Sequence, residues 1–144
     1  MPNGAGGGGG GGTIVGASNS FTGPAKSLEI LGDFAYAYSG VVGVANTELA
    51  LIDAHTGNFS LMARVQAFSS MTANERYIIR IKLNEITVLE TITHLGTPNP
   101  QYSDQAPFLI LIPSYTDLEI TLVNQEEVNT NNWTVSVTGR IYRG

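Results

Sequence analysis

Asp53, His55 and Ser60 fall in one short stretch of the chain. They offer an orienting carboxylate, an imidazole base and a hydroxyl nucleophile. That set cleaves acyl bonds only when the three groups are held in one hydrogen-bonded line, which spacing alone does not create. The segment His55-Thr56-Gly57-Asn58 has the composition of a turn, and a polar turn accounts for the same residues without catalysis. His94 stands apart, bordering a later loop. Two histidines and no cysteine fall short of the three or four protein ligands of a zinc site. Asp104, Asp117, Glu126 and Glu127 carry oxygen donors suited to calcium, but no calcium-loop spacing joins them. Glu85 with Glu90, or Glu119 with Glu126, could form a glycosidase pair. Nothing around either pair would keep one carboxyl protonated and the other ionised.

The glycine run from Gly6 to Gly12 lacks the Lys-Ser or Lys-Thr ending of a phosphate loop. It also lacks the strand-to-helix setting of a dinucleotide site. The residues therefore read as non-enzymatic, with no cofactor and no metal. Aromatic side chains carry a better signal. Tyr36 and Tyr38 share one face of a candidate strand, and Tyr102 and Tyr115 flank the apolar run Phe108–Ile112. Exposed tyrosines stack on sugars or bury area at protein interfaces at low entropic cost. Packing within the sheet is the plainer reading of Tyr36 and Tyr38. Trp133 reads as a core anchor. Asn58-Phe-Ser60 and Asn132-Trp-Thr134 match the glycosylation acceptor pattern, which matters only for an exported chain.

The elements that must position these groups are short strands. Phe59, Leu61, Ala63, Val65 and Ala67 alternate with Ser60, Met62, Arg64 and Gln66, the period of a half-buried strand. Arg76 to Leu83 repeats the pattern, with Ile78 as the exception. A tight Asn84-Glu85 turn joins it to Ile86–His94. Tyr36 to Ala45 is a candidate strand in which Gly40 and Gly43 suggest a bulge or a close sheet contact. Glu48 to Asp53 is another. Ser69 to Glu75 is turn-like, with a brief helical turn around Met71 and Ala73 as an option. Leu95 to Ala106, with Pro98 and Pro100, reads as a long loop. Phe108 to Ile112 is continuously apolar, as for a strand running through the core, and Pro113 ends its ladder. Leu118, Ile120 and Leu122 alternate in the next strand. Trp133, Val135, Val137 and Ile141 alternate in the last, where Gly139 reads as a bulge.

About eight main strands and no convincing helix call for two sheets packed face to face. The expected fold is all-β, an eight-stranded antiparallel jelly-roll sandwich, with an immunoglobulin-like sandwich as the alternative. The 144 residues fit one such domain. Residues 1–25 read as a glycine-rich flexible arm and lead-in, and 26–144 as a single β-sandwich domain. The arm is either a linker or tail, or a strap that threads between subunits where only bare backbone fits. In the second case Gly6, Gly9, Gly12, Val15 and Phe21 join Tyr36, Tyr38, Tyr102 and Tyr115 as interface candidates.

Charged residues make up 13% of the chain, about half the usual share. So neutral a surface suggests an assembly that hides part of it. The net charge of −5 with no basic run argues against nucleic acid as a partner. No apolar stretch approaches the length of a spanning helix, and the first residues do not resemble a signal peptide. No membrane partner is expected.

Phe-Leu-Ile-Leu-Ile-Pro-Ser from Phe108 and Trp-Thr-Val-Ser-Val-Thr-Gly-Arg from Trp133 follow the aromatic first strand and the central hairpin. In this order the stretch from Phe34 to Tyr142 resembles small single-jelly-roll proteins of viral and bacteriophage particles, especially minor capsid and decoration proteins. The resemblance implies a structural role in a virion and a homo-oligomer, with trimers common in that group. It also implies contacts with other capsid or surface-assembly proteins. The alternative is a carbohydrate-binding or adhesive sandwich at an extracellular surface, with a glycan as partner.

Overall fold

The structure, a computed structural model, describes residues 25–71, 76–94, 101–104, 107–125 and 131–143. Gly6, Gly9, Gly12, Val15 and Phe21 lie outside them, as do Ala73, Glu126, Glu127 and most of the expected loop 95–106. The described residues form two antiparallel sheets. The larger holds β1 (Glu29–Leu31), β2 (Phe34–Tyr38), β3 (Val42–Val44), β5 (Ser60–Met71), β8 (Gln101–Asp104), β9 (Phe108–Ile112) and β11 (Asn131–Tyr142). Its order is β1-β2-β11-β5-β8, with β3 also on β11 and β9 also on β5. The smaller holds β4 (Leu49–His55), β6 (Arg76–Leu83), β7 (Ile86–His94) and β10 (Asp117–Asn124), in the order β4-β10-β6-β7.

Alternation decides which side chains meet between the sheets. From the larger sheet come Leu61 and Val65 of β5, and Trp133, Val135, Val137 and Ile141 of β11. From the smaller come Tyr77, Ile79 and Ile81 of β6, and Leu118, Ile120 and Leu122 of β10. All belong to one buried cluster. Each fully buried aliphatic side chain contributes roughly 1.5–3 kcal/mol relative to exposure. In β4 the consecutive residues Leu51 and Ile52 are both buried. There the β4–β10 ladder shifts register, so Leu51 is the extra residue of a bulge.

The chain enters the body across the side of this pair of sheets. Ala25 bridges Ile52 in parallel. The Ala25 amide donates to the Leu51 carbonyl at 2.9 Å, and the Asp53 amide donates to the Ala25 carbonyl at 2.8 Å. A few residues later β1 pairs with β2 at the edge of the other sheet. Ala25 and Leu28 pack on the core as they cross.

Several sequence expectations are revised. The described residues contain eleven strands rather than about eight. The expected strand Tyr36–Ala45 is broken at Ser39-Gly40, where Gly40 has φ 72°. Ser39 bridges the break. Its amide donates to the Val135 carbonyl at 3.0 Å, and its hydroxyl accepts from the Val135 amide at 2.9 Å. Both halves therefore stay on β11. Ser69 to Met71 continues β5 instead of turning, and Gln101–Asp104 pairs with Phe68–Met71 inside the expected loop. Both prolines precede β8 in sequence, so its ladder is uninterrupted, and the extended end of β5 gains a backbone partner. The Asn84-Glu85 turn is as expected. Both residues have positive φ, 51° and 69°, as a two-residue hairpin turn requires.

Gly139 is not a bulge. The β11–β5 register runs unbroken from Trp133↔Ser69 to Tyr142↔Ser60. Gly139 faces inward between Ala35 and Ala63. A Cβ there would sit 2.6 Å from the Met62 carbonyl oxygen and 2.8 Å from Leu61 Cδ1. Backbone closeness, not backbone conformation, demands the glycine.

One buried polar knot ties the sheets together. The Tyr77 hydroxyl donates to the Val44 carbonyl at 3.1 Å and accepts from Asn131 Nδ2 at 3.0 Å. Its ring lies 5.0 Å from that of Trp133. Among the described residues the buried Trp133 indole N–H has no hydrogen-bond partner. Two outcomes follow for denaturant unfolding of the full chain. Gly139→Ala should cost about 1–3 kcal/mol by overpacking. Tyr77→Phe should cost about 1–3 kcal/mol by stranding buried polar groups. Wild-type stability in either variant would refute the corresponding contact.

Candidate functional site

The two sheets differ in how their outward faces handle charge. On the smaller sheet, cross-strand register places Arg80 between Thr121 and Glu90. Arg80 Nη1 donates to Glu48 Oε1 at 3.0 Å and Arg80 Nε to Glu90 Oε1 at 2.8 Å. Lys82 Nζ lies 3.5 Å from Glu48 Oε2 and 4.0 Å from Glu119 Oε1. The Thr121 hydroxyl also donates to Glu48. That hydrogen bond, with Arg80 and Lys82 beside it, outweighs partial burial and holds the Glu48 carboxyl below its usual range. These charges are satisfied within the chain, while β7 also exposes Ile86, Val88 and Ile92.

The outer face of the larger sheet is different. Across β1, β2, β11, β5 and β9 one row reads Leu31, Phe34, Arg140, Met62, Leu111. The next reads Glu29, Tyr36, Thr138, Arg64, Leu109. Every one of these residues is exposed, and Leu109 reaches 75%. The Arg140 guanidinium lies 5.7 Å from the Phe34 ring centre and 5.9 Å from that of Tyr142, which holds its cation over aromatic faces. Scattered exposed apolar residues are ordinary, but a contiguous patch marks an interaction site.

The sequence-derived candidates separate on this frame. Tyr36 and Tyr38 do share the outer face of β2, at 39% and 46% exposure. Tyr102 pairs with Ser70 in the β8–β5 ladder. Tyr115 stands away from this face, 68% exposed and at φ 53°. Its amide donates to the Gly57 carbonyl, and Thr56 locks the same loop by donating to the Pro113 carbonyl at 2.8 Å. The Phe108–Ile112 run is not buried on both sides, because Leu109 and Leu111 point outward.

The imagined triad is not assembled. Asp53 pairs with Lys26 at 3.9 Å, and His55 Nδ1 lies 2.7 Å from Asp117 Oδ1. The Ser60 hydroxyl donates to the Tyr142 carbonyl at 3.5 Å. Among the described residues no group of three His, Asp or Glu could hold a metal ion. Among them also, no helix is long and apolar enough to cross a membrane. Sequence reasoning missed Phe34, Met62, Leu109 and Arg140 as members of one surface. Their only signal was outward apolar residues at alternating positions, which join into a face once the register is known.

No family model matches the chain, and no curated protein matches it.

The smaller-sheet network carries a pH signature. Glu48→Gln should lower stability at pH 7 by about 0.5–1 kcal/mol. The Glu48 contribution is complete above the unfolded glutamate value of about 4.3 and is lost as pH falls through the lower folded value. The gap between wild type and variant should therefore close on acidification below about pH 4. A gap that stays constant through that range would contradict the network.

Proposed function

We infer that this chain is a non-enzymatic structural subunit of an assembly, of the kind that builds or decorates viral and bacteriophage particles. The observation that carries this reading is the apolar outer face of the larger sheet, set against a smaller sheet that neutralises its own charges. A catalytic reading has no comparable support, since the candidate triad residues each bind elsewhere.

Strand order supports a jelly roll as the finer fold. Taking β2 with β3, and β8 with β9, as interrupted single strands leaves eight once the short edge strand β1 is set aside. The first then pairs with the last, the second (β4) with the seventh (β10), the third (β5) with the sixth, and the fourth (β6) with the fifth (β7). In that numbering the seventh also pairs with the fourth, and the eighth with the third. That nesting of one long antiparallel hairpin, rolled into two sheets, is what an eight-stranded jelly roll requires. It favours this topology over the immunoglobulin-like alternative and agrees with the particle-protein resemblance of Phe34 to Tyr142.

A glycan-binding module is the second reading. Tyr36 and Tyr38 favour it, because Thr138 and Ser136 lie directly beside them across the ladder, and rings flanked by hydroxyls suit a sugar. Leu31, Met62, Leu109 and Leu111 on the same sheet favour a protein partner instead.

Sedimentation of the full chain at high concentration tests the choice. Discrete species larger than the 15.3 kDa chain are expected, with no sugar retained on a glycan array. A single 15.3 kDa species at all concentrations would overturn the assembly reading, and sugar binding by that monomer would establish the second.

A further inference from the structure

We propose that the outer face of the larger sheet pairs with the same face of a second copy of this chain, about a twofold axis lying along the strands between β2 and β11. This rests on the assembly reading and names the partner for it.

Charge complementarity within the two rows singles out a second copy as the partner. Their ten positions carry three charged side chains: Glu29, Arg64 and Arg140. Arg140 rests on aromatic rings. Glu29 and Arg64 are opposite in sign and exposed, and neither joins an ion pair among the described residues. Register explains why. Both lie in one row, separated by Tyr36 and Thr138, so three strand spacings of ~4.8 Å place them about 14 Å apart. They are too distant to pair within one chain. On the smaller sheet Arg80, Lys82, Glu48, Glu90 and Glu119 all find partners within the chain.

The proposed axis passes midway between Glu29 and Arg64. A half-turn about it reverses each row. Glu29 then falls over the partner's Arg64, and Arg64 over the partner's Glu29. In the next row Phe34 falls over the partner's Arg140, repeating between chains the cation–aromatic contact already made within one. Leu31 falls over the partner's Met62. Each match occurs twice, as an isologous interface demands.

About this axis β1, β2, β11 and β5 overlap their counterparts over about 14 Å across the strands, while β9 falls beyond the partner's β1 and lies outside the overlap. That strip is smaller than the roughly 800 Å² per partner of a standard stable interface, so the expected dimer is weak and concentration-dependent. Sheets of native twist pack face to face with their strands within about 30° of one another.

Charge reversal in the full chain tests the proposal, with circular dichroism melts confirming that each variant folds. Glu29→Arg alone and Arg64→Glu alone should each weaken self-association by about tenfold or more, since each replaces two attractions by two repulsions. The double variant should recover wild-type association. Mixing the two single variants should yield heterodimers. The first variant is positive at both positions and the second negative at both, so every facing pair across the mixed interface is attractive. A wild-type oligomer that ignores both single changes, or a mixture that fails to recover, would overturn this interface while leaving assembly itself standing. A monomeric wild type would remove the assembly reading and this inference with it.

Discussion

The pairing of β11 with β5 is the constraint on which the rest of the molecule depends. β11 is the last strand, yet it occupies the middle of the larger sheet, with β5 on one side and β2 and β3 on the other. Its ten register partners on β5 run without interruption. Because side chains alternate, a slip of one residue would turn Trp133, Val135, Val137 and Ile141 out to water and bring Thr134, Ser136 and Arg140 in. Gly139 helps enforce the correct setting. Its site between Ala35 and Ala63 has room for no Cβ, so a one-residue shift would force Thr138 or Arg140 into a space that excludes even alanine. The same register that fills the core also writes the outer rows, because each inward residue fixes the outward position of its neighbours.

This dependence explains what could be read from the sequence and what could not. Arg76–Leu83, Ile86–His94 and Phe108–Ile112 were legible because each is a run of strand-forming residues bounded by a turn or proline, and the Asn84-Glu85 turn announced itself. The break at Ser39 was not, because it rests on a serine borrowing the Val135 backbone, a contact nearly a hundred residues away in sequence. β8 was hidden in a polar stretch. Its strand character comes from the open edge of β5 beside it, not from its own alternation. Gly139 carried a signal that pointed the wrong way. A glycine in a strand can mark a bulge or a close approach, and only the neighbouring strand distinguishes them.

The candidate surface was legible one strand at a time. Tyr36 and Tyr38 could be placed on one face, since two residues of one strand need only alternation. Leu109 and Leu111 could not, because a continuous apolar run reads equally as buried on both sides. Which outward residues of five different strands stand side by side is a fact of register alone. His55 makes the same point for catalysis. Its sequence neighbour Asp53 faces Lys26, whereas Asp117, far along the chain, is brought opposite by the β4–β10 ladder.

The contrast between the two outer faces also bears on why the chain is so poorly charged. β-Propensity explains exposed Phe34, Tyr36 and Tyr142, since aromatic residues suit a pleated surface whatever lies above it. It does not explain Leu31, Met62, Leu109 and Leu111, which are neither β-branched nor aromatic. Threonine would serve those positions better in a strand open to water, and Thr138 shows that the sheet accepts it. Leucine and methionine gain only when their area is removed from solvent, by about 25 cal/mol per Å². The smaller sheet meets water with an ion-pair lattice around Arg80 and Lys82, beside exposed Ile86, Val88 and Ile92, β-branched residues that suit an open strand. The outer rows of the larger sheet instead set Leu31, Met62, Leu109 and Leu111 among opposite charges too far apart to satisfy each other. A second surface over β1, β2, β11 and β5 would bury Leu31 and Met62 and supply the missing counter-charges.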